Sequence, residues 1–201
     1  MNTPSHAIMN LAILITPVQH QATLPIVFGA VLPDIPMFVM YFWAKFVRRQ
    51  PEAQIWTKIY FTPFWQNIIH GFHSIPLFLV GILTVHCFGY WQVEITLFSA
   101  LLHCLGDFPV HNDDAHRHFL PFSNYRFISP ISYWDVKHHG KIVGLVEKLL
   151  VLIASLYIFP LQQSWISKVV IIAVNLIYIT GFFYFRVFRR CQTSNSASFE
   201  Q

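Results

Sequence analysis

The sequence predicts an all-α membrane protein, a polytopic helical bundle built from antiparallel helical hairpins, with one polar loop at about residues 107–142. Three observations carry this reading. Of 201 residues, 55% are hydrophobic and only 11% charged, with a mean hydropathy of +0.49; a soluble domain carries about twice that charge. Twenty Phe, eight Tyr and six Trp suit lipid-facing and interfacial positions. Residues 74–93 contain no Asp, Glu, Lys or Arg, a run long enough to cross a bilayer.

The elements follow in order. Helices over 5–16 and 22–32, joined by Pro17-Val18-Gln19-His20-Gln21, make a first hairpin that brings His6 and Asp34 to one end. Each helix is about 16 Å long, too short to span unaided, so they are half-inserted or packed internally. The aromatic segment 35–46, ahead of Arg48-Arg49, suits an interfacial helix or an extension of the same hairpin. Segments 74–93 and 95–106 form a second hairpin through Gly89-Tyr90-Trp91-Gln92; its closure delivers His73 to His103 and Asp107. The polar insertion follows, and then two apolar helices over 143–159 and 169–185, broken by Pro160-Leu161-Gln162-Gln163-Ser164. No linker-like stretch divides the chain, so residues 1–190 read as one membrane-embedded domain and 191–201 as a disordered polar tail.

Several classes are disfavoured. The apolar stretch 8–15 lacks a basic leader and a cleavage site, so no secretory signal is expected. Cys87, Cys104 and Cys191 are widely spaced, which indicates neither a disulfide scaffold nor a thiolate zinc knuckle. No nucleic-acid-binding pattern is present. Basic residues gather on one side of the assigned spans: Arg48, Arg49 and Lys58, then Arg117, Arg126, Lys137 and Lys141, then Arg186, Arg189 and Arg190. That side is expected to be cytoplasmic.

Imidazoles and carboxylates at the ends of apolar segments lose hydration that apolar neighbours cannot replace, so they are usually paired, metal-bound or functional. His103 and Asp107 are spaced i, i+4 and share a helical face, which suits two ligands of one ion. Alone, such a pair is as well explained by a surface hydrogen bond or a satisfied core histidine. Hairpin closure adds His73, and the first hairpin adds His6 and Asp34. The tract His111-Asn112-Asp113-Asp114-Ala115-His116-Arg117-His118 supplies further candidates, His111 and His118 as ligands, although a solvated loop would look similar. Imidazole with carboxylate favours zinc, with manganese and iron as alternatives. Four other groups weigh less. His138-His139 read as an interfacial pair and Asp135 as a cap; His86 falls in mid-span, where a hydrogen-bonded histidine is the commoner finding, and Glu147 lies inside an apolar helix.

Ser5-His6, Gly29-Ala30-Val31-Leu32-Pro33-Asp34, His73-Ser74 and His103-x-x-x-Asp107 together resemble the bacterial membrane-bound metal-dependent hydrolases, over roughly residues 3–118. The resemblance implies an integral inner-membrane protein with metal-dependent hydrolase activity. The tract from Asp107 to His118, with Ser129-Pro130-Ile131-Ser132-Tyr133-Trp134-Asp135, is similar to a cyanobacterial-type branch. A more distant similarity is to the zinc-dependent phospholipase C and single-strand nuclease fold, in order of residues only. There Asp34, His73, His103 and Asp107 would correspond to one metal site, with His6 at a neighbour bridged by Asp107. That scheme expects HxxxE in the last helix; Val143 stands where the histidine would precede Glu147, so a third metal lacks its imidazole.

The expected chemistry is hydrolysis by metal-activated water. Asp34 or Asp107 would orient the water. His116, Arg117 or His118 would stabilise developing charge, Arg117 by forking onto two phosphate oxygens. Membrane lipids are the expected surroundings and a lipid or lipid-linked phosphoester the expected substrate. The alternative is a non-enzymatic membrane metal-binding or transport protein, which would set ligands along a path through the bilayer. A haem protein with His73 and His103 as axial ligands fits less well with so many carboxylates.

Overall fold

In a computed structural model the backbone is described for residues 1–16 and 20–197, and side chains for 1–16 and 21–181. The described residues are helical and contain no strand. The elements are α1 (Thr3–Leu14), α2 (Thr23–Val31), α3 (Ile35–Phe42), the short α4 (Glu52–Gln54), α5 (Pro63–Phe72), α6 (Ile75–Phe88), α7 (Trp91–Asp107), α8 (Gly140–Ile158) and α9 (Trp165–Ala197). The expected connection at residues 17–19 lies outside the described residues, and so do the side chains of the expected tail.

Helix α7 is the central element, with α2, α6 and α1 against it, α8 against α1, and α9 against α8. Ile8, Leu11, Ile26, Val151 and Ile158 form the main apolar core between these helices. A polar node ties three of them together. Asn10 Nδ2 donates to the Ser99 carbonyl at 2.7 Å, and Ser99 Oγ donates to the Ile26 carbonyl at 2.6 Å. Such bonds fix helix register in apolar surroundings, where packing alone is less directional.

Gly29 sets the distance between α2 and α7. A Cβ built there would lie 2.0 Å from the Thr96 carbonyl oxygen and 2.8 Å from Ser99 Cβ, so no side chain fits without separating the helices. Gly29→Val is therefore expected to cost about 1–3 kcal/mol through overpacking. It should also reduce bound metal, because α2 leads to Asp34 and α7 to His103. Thermal unfolding and metal content of the purified variant check both effects.

Three element boundaries depart from the expected ones. Segment 22–46 is not a helix that stops at Leu32. α2 runs through a 3-10 turn (Leu32–Asp34) into α3 and a π-helical stretch (Trp43–Val47), so Asp34 lies within a continuous helix rather than at its end. Pro36 has no N–H to continue the α pattern, and Ile35 N–H bonds the Leu32 carbonyl in a tighter turn. The turn after segment 74–93 is tighter than expected: α6 ends at Phe88 with Gly89 at φ +73, a left-handed helix cap, and α7 starts already at Trp91. His86 is consequently near a helix end, exposed, with Nδ1 3.0 Å from Glu94 Oε1, and not in mid-span. α5 was not expected; Pro63 after Thr62 is its start signal.

Among the described residues one helix, Thr23–Val47, suffices by length and composition to cross a membrane. The pair Pro63–Phe72 and Ile75–Phe88 passes the same test jointly, bent by 43°.

Candidate metal centre

The C-terminal end of α7, the bend between α5 and α6, the 3-10 turn after α2 and the first turn of α1 meet at one place. His103 and Asp107, one turn apart on α7, are both buried, with Nε2 3.1 Å from Oδ2. His103 Nδ1 lies 2.6 Å from the Ala30 carbonyl. A carbonyl only accepts, so Nδ1 carries a proton, and in the neutral ring Nε2 presents a lone pair. His73 follows the same logic. It caps the C-terminus of α5, donating from Nδ1 to the Ile69 carbonyl one turn back at 2.8 Å. Its Nε2 faces Asp34 Oδ1 at 3.8 Å and Asp107 Oδ2 at 3.9 Å.

Neither Nε2 has a hydrogen-bond partner, although both are buried. Lone pairs aimed at carboxylate oxygens repel unless a proton or a metal cation lies between them. Ligand atoms about 2.1 Å from one tetrahedral ion stand about 3.4 Å apart. The spacings here are 3.1 Å from His103 Nε2 to Asp107, 3.6 Å from His103 Nε2 to Asp34 and 3.8 Å from His73 to Asp34. These side chains fit a metal ion. Among the described residues, three overlapping sets have their ligand atoms within 4.8 Å of one another: His6, His103 and Asp107; Asp34, His73 and His103; His73, Asp107 and His116.

The supporting contacts hold each donor in place. His6 Nε2 is 2.9 Å from Asp107 Oδ1, and its ring stacks on His103 at 3.7 Å. Thr3 Oγ1 donates to Asp34 Oδ2, leaving Oδ1 for the histidines. The Met1 amino group also pairs with Asp107 Oδ1. Ser74 caps α6, accepting from Leu77 N–H, and its hydroxyl donates to the Leu120 carbonyl, which ties the long loop to the bend that carries His73.

That loop distributes its residues differently from the sequence expectation. His116 is buried and stacks on His73 at 3.9 Å, so it joins the candidate ligands, although charge stabilisation was expected of it. His118, expected as a ligand, lies outside the three sets; its Nδ1 donates to the His73 carbonyl at 3.1 Å. Arg117, expected to clamp a phosphate, turns outward, its guanidinium held by Asn67 Oδ1 at 2.6 Å and Asn124 Oδ1 at 3.1 Å. The loop is not helical here, and successive side chains of an extended chain alternate sides, so two histidines facing in send the arginine out. His111, also outside the sets, has Nε2 3.2 Å from Asp107 Oδ1 and Nδ1 2.9 Å from Asp114 Oδ2, which also accepts from Trp134 Nε1.

Electrostatics separate these loop groups. Burial pushes the His111 imidazole down, but the Asp107 charge and its hydrogen bonds with Asp107 and Asp114 outweigh burial and hold it at about 9. Burial and the imidazoles of His73 and His111 drive His116 well below its ordinary range.

Two contributors carry no assigned role in the sequence reading. His70, one turn before His73, has Nδ1 3.4 Å from His116 Nδ1; its place in the same short helix was the available signal. Glu147 is buried on α8 in line with Val151, Ala154 and Ile158. It is no metal donor in these sets. Its Oε1 accepts from Asn2 N–H at 2.8 Å, Asn2 Nδ2 at 3.0 Å and Ser5 Oγ at 2.5 Å, so it anchors the start of α1, where Thr3 and His6 lie. His138 pairs with Asp135, which caps the 3-10 turn Val136–His138 through Lys137 N–H.

A cavity of ≈ 1200 Å³ opens onto the centre, with Asp34, His73, Asp107, His111 and His116 in its lining. No protein-family model, curated protein or solved structure matches the chain.

Proposed function

We propose that the chain is a membrane-embedded, metal-dependent hydrolase that cleaves a phosphoester. The observation that carries this is the pair of buried, unpartnered Nε2 atoms of His73 and His103, facing Asp34 and Asp107 beside an open cavity. His6, Asp34, His73, His103, Asp107 and His116 would hold one or two divalent ions, zinc by donor chemistry with manganese or iron as alternatives. Such an ion supplies a water of lowered pKa and polarises a phosphoryl oxygen.

The residues have separable tasks. Asp107 faces His6 and His111 with Oδ1 and His103 and His73 with Oδ2, so it would be the carboxylate shared by most of the imidazoles that would hold an ion. Asp34 keeps Oδ1 on the histidines, because Thr3 engages Oδ2, and would orient a water activated by the ion. The carbonyls of Ala30 and Ile69 fix the tautomers of His103 and His73, as supporting partners do in metal sites.

Support for the membrane setting comes from Thr23–Val47, from the bent pair, and from exposed apolar side chains such as Leu24, Phe28, Leu83 and Ile153. In the sequence, Arg48, Arg49 and Lys58, then Arg117, Arg126, Lys137 and Lys141, flank the apolar segments on one side, which favours the cytoplasmic face of a bacterial inner membrane for the 107–142 loop. The donors also gather in one compact cluster, whereas a transport path would string them across.

Detergent-purified protein should contain about one or two transition-metal ions per chain, and hydrolyse a generic phosphomonoester only while they are present. Elemental analysis and turnover with and without chelator provide the check. Absence of metal, or chelator-insensitive turnover, overturns the proposal; bound metal with no turnover on any phosphoester favours the binding or transport alternative.

A further inference from the structure

The cavity is larger than the centre requires. Pockets that enclose whole small-molecule ligands measure about 300–1,000 Å³, and this one reaches ≈ 1200 Å³. Its lining is divided. The carboxylates and imidazoles belong to the cluster already described, while Val31, Met37, Phe38, Trp56, Tyr60 and Phe61 make an apolar wall. α3 and the segment after α4 supply most of that wall, and the core of Met40, Ala44, Ile55, Tyr60 and Ile69 backs it. The wall is thus held apart by packing behind it. Its outer aromatics remain open to the surroundings, with Phe38 36%, Trp56 39% and Phe61 49% exposed. The lining contains no lysine or arginine, and Asp113 is part of it. A polyanion such as a nucleoside triphosphate would find no counter-charge beyond the centre itself.

We infer that this wall is a chain-binding subsite, and that the substrate is an amphiphile with a single phosphoester head at the centre and an uncharged aliphatic chain along Met37, Phe38, Trp56 and Phe61. This deepens the hydrolase proposal and rests on it. The exposed aromatics at the mouth would let the chain enter from lipid without crossing water, while the head stays among the polar groups.

The test is binding, independent of turnover. Zinc-loaded protein in detergent is titrated calorimetrically with methyl, butyl, hexyl and octyl phosphate. Burial of each methylene should tighten binding by about fourfold, and Phe38→Asp or Phe61→Asp should flatten the series by placing a charge in the wall; zinc content in the same samples reports an intact centre. Equal affinity for methyl and octyl phosphate in the wild type overturns the chain subsite and leaves the hydrolase proposal standing. Zinc-loaded protein that binds no phosphate of any length removes the phosphoester reading and the subsite with it.

Discussion

Asp107→Asn is expected to strip the centre of metal. Asp107 lies within 4 Å of four imidazoles, His6, His73, His103 and His111, and no other carboxylate touches all of them. The amide removes the charge that balances an ion and turns one acceptor into a donor aimed at histidine nitrogens. Loss of a supporting partner in a metal site costs about 10- to 100-fold in affinity, and loss of Asp107 itself should exceed that. His86→Ala is the control, since His86 meets Glu94 at the other end of α6. Elemental analysis of both variants checks the expectation. Full metal content in Asp107→Asn would show that Asp107 does not ligate.

Glu147→Ala is expected to damage the centre from a distance. It removes the acceptor for Asn2 N–H, Asn2 Nδ2 and Ser5 Oγ, all near the start of α1. Donors left unsatisfied in a buried setting cost about 1–3 kcal/mol. For a chain of this size that lowers the unfolding midpoint by roughly 2–12 °C. Because Thr3 and His6 ride on the same turn, metal affinity should fall as well. Glu147→Gln keeps an oxygen acceptor and should restore most of both properties. If alanine and glutamine variants lose metal equally while their unfolding midpoints stay at the wild-type value, Glu147 ligates an ion directly and its anchoring role is wrong.

The helical character and much of the centre were legible because they depend on local geometry. His103 and Asp107 share a face by helical periodicity alone, and a hairpin turn at Gly89 suffices to carry His73 back to them. The polar insertion is likewise irregular apart from short turns between the end of α7 and the start of α8, over 108–139, as its polarity predicts. Less legible was α5, whose ten residues fall between aromatic stretches that periodicity cannot separate.

Long-range partners were not written in any local pattern. Nothing in Ala115-His116-Arg117-His118 tells which side chains face inward; that depends on the Ser74 hydroxyl and Ile75 N–H, which pin the loop at Leu120 and His118. Asp34 reads as the end of a helix, yet tertiary packing carries α2 through a 3-10 turn into α3 and leaves its carboxylate on the flank of one continuous helix. Glu147 reads as a charge inside an apolar helix, and only the packing of α8 against α1 supplies its donors. The sequence by itself determined an apolar helical chain with His and Asp at helix ends, because burial and helical spacing are properties of neighbouring residues. Which of those groups share an ion, and which merely hold the others in place, was decided by the tertiary structure, because a ligand set is defined by distances between atoms that the chain separates by tens of residues.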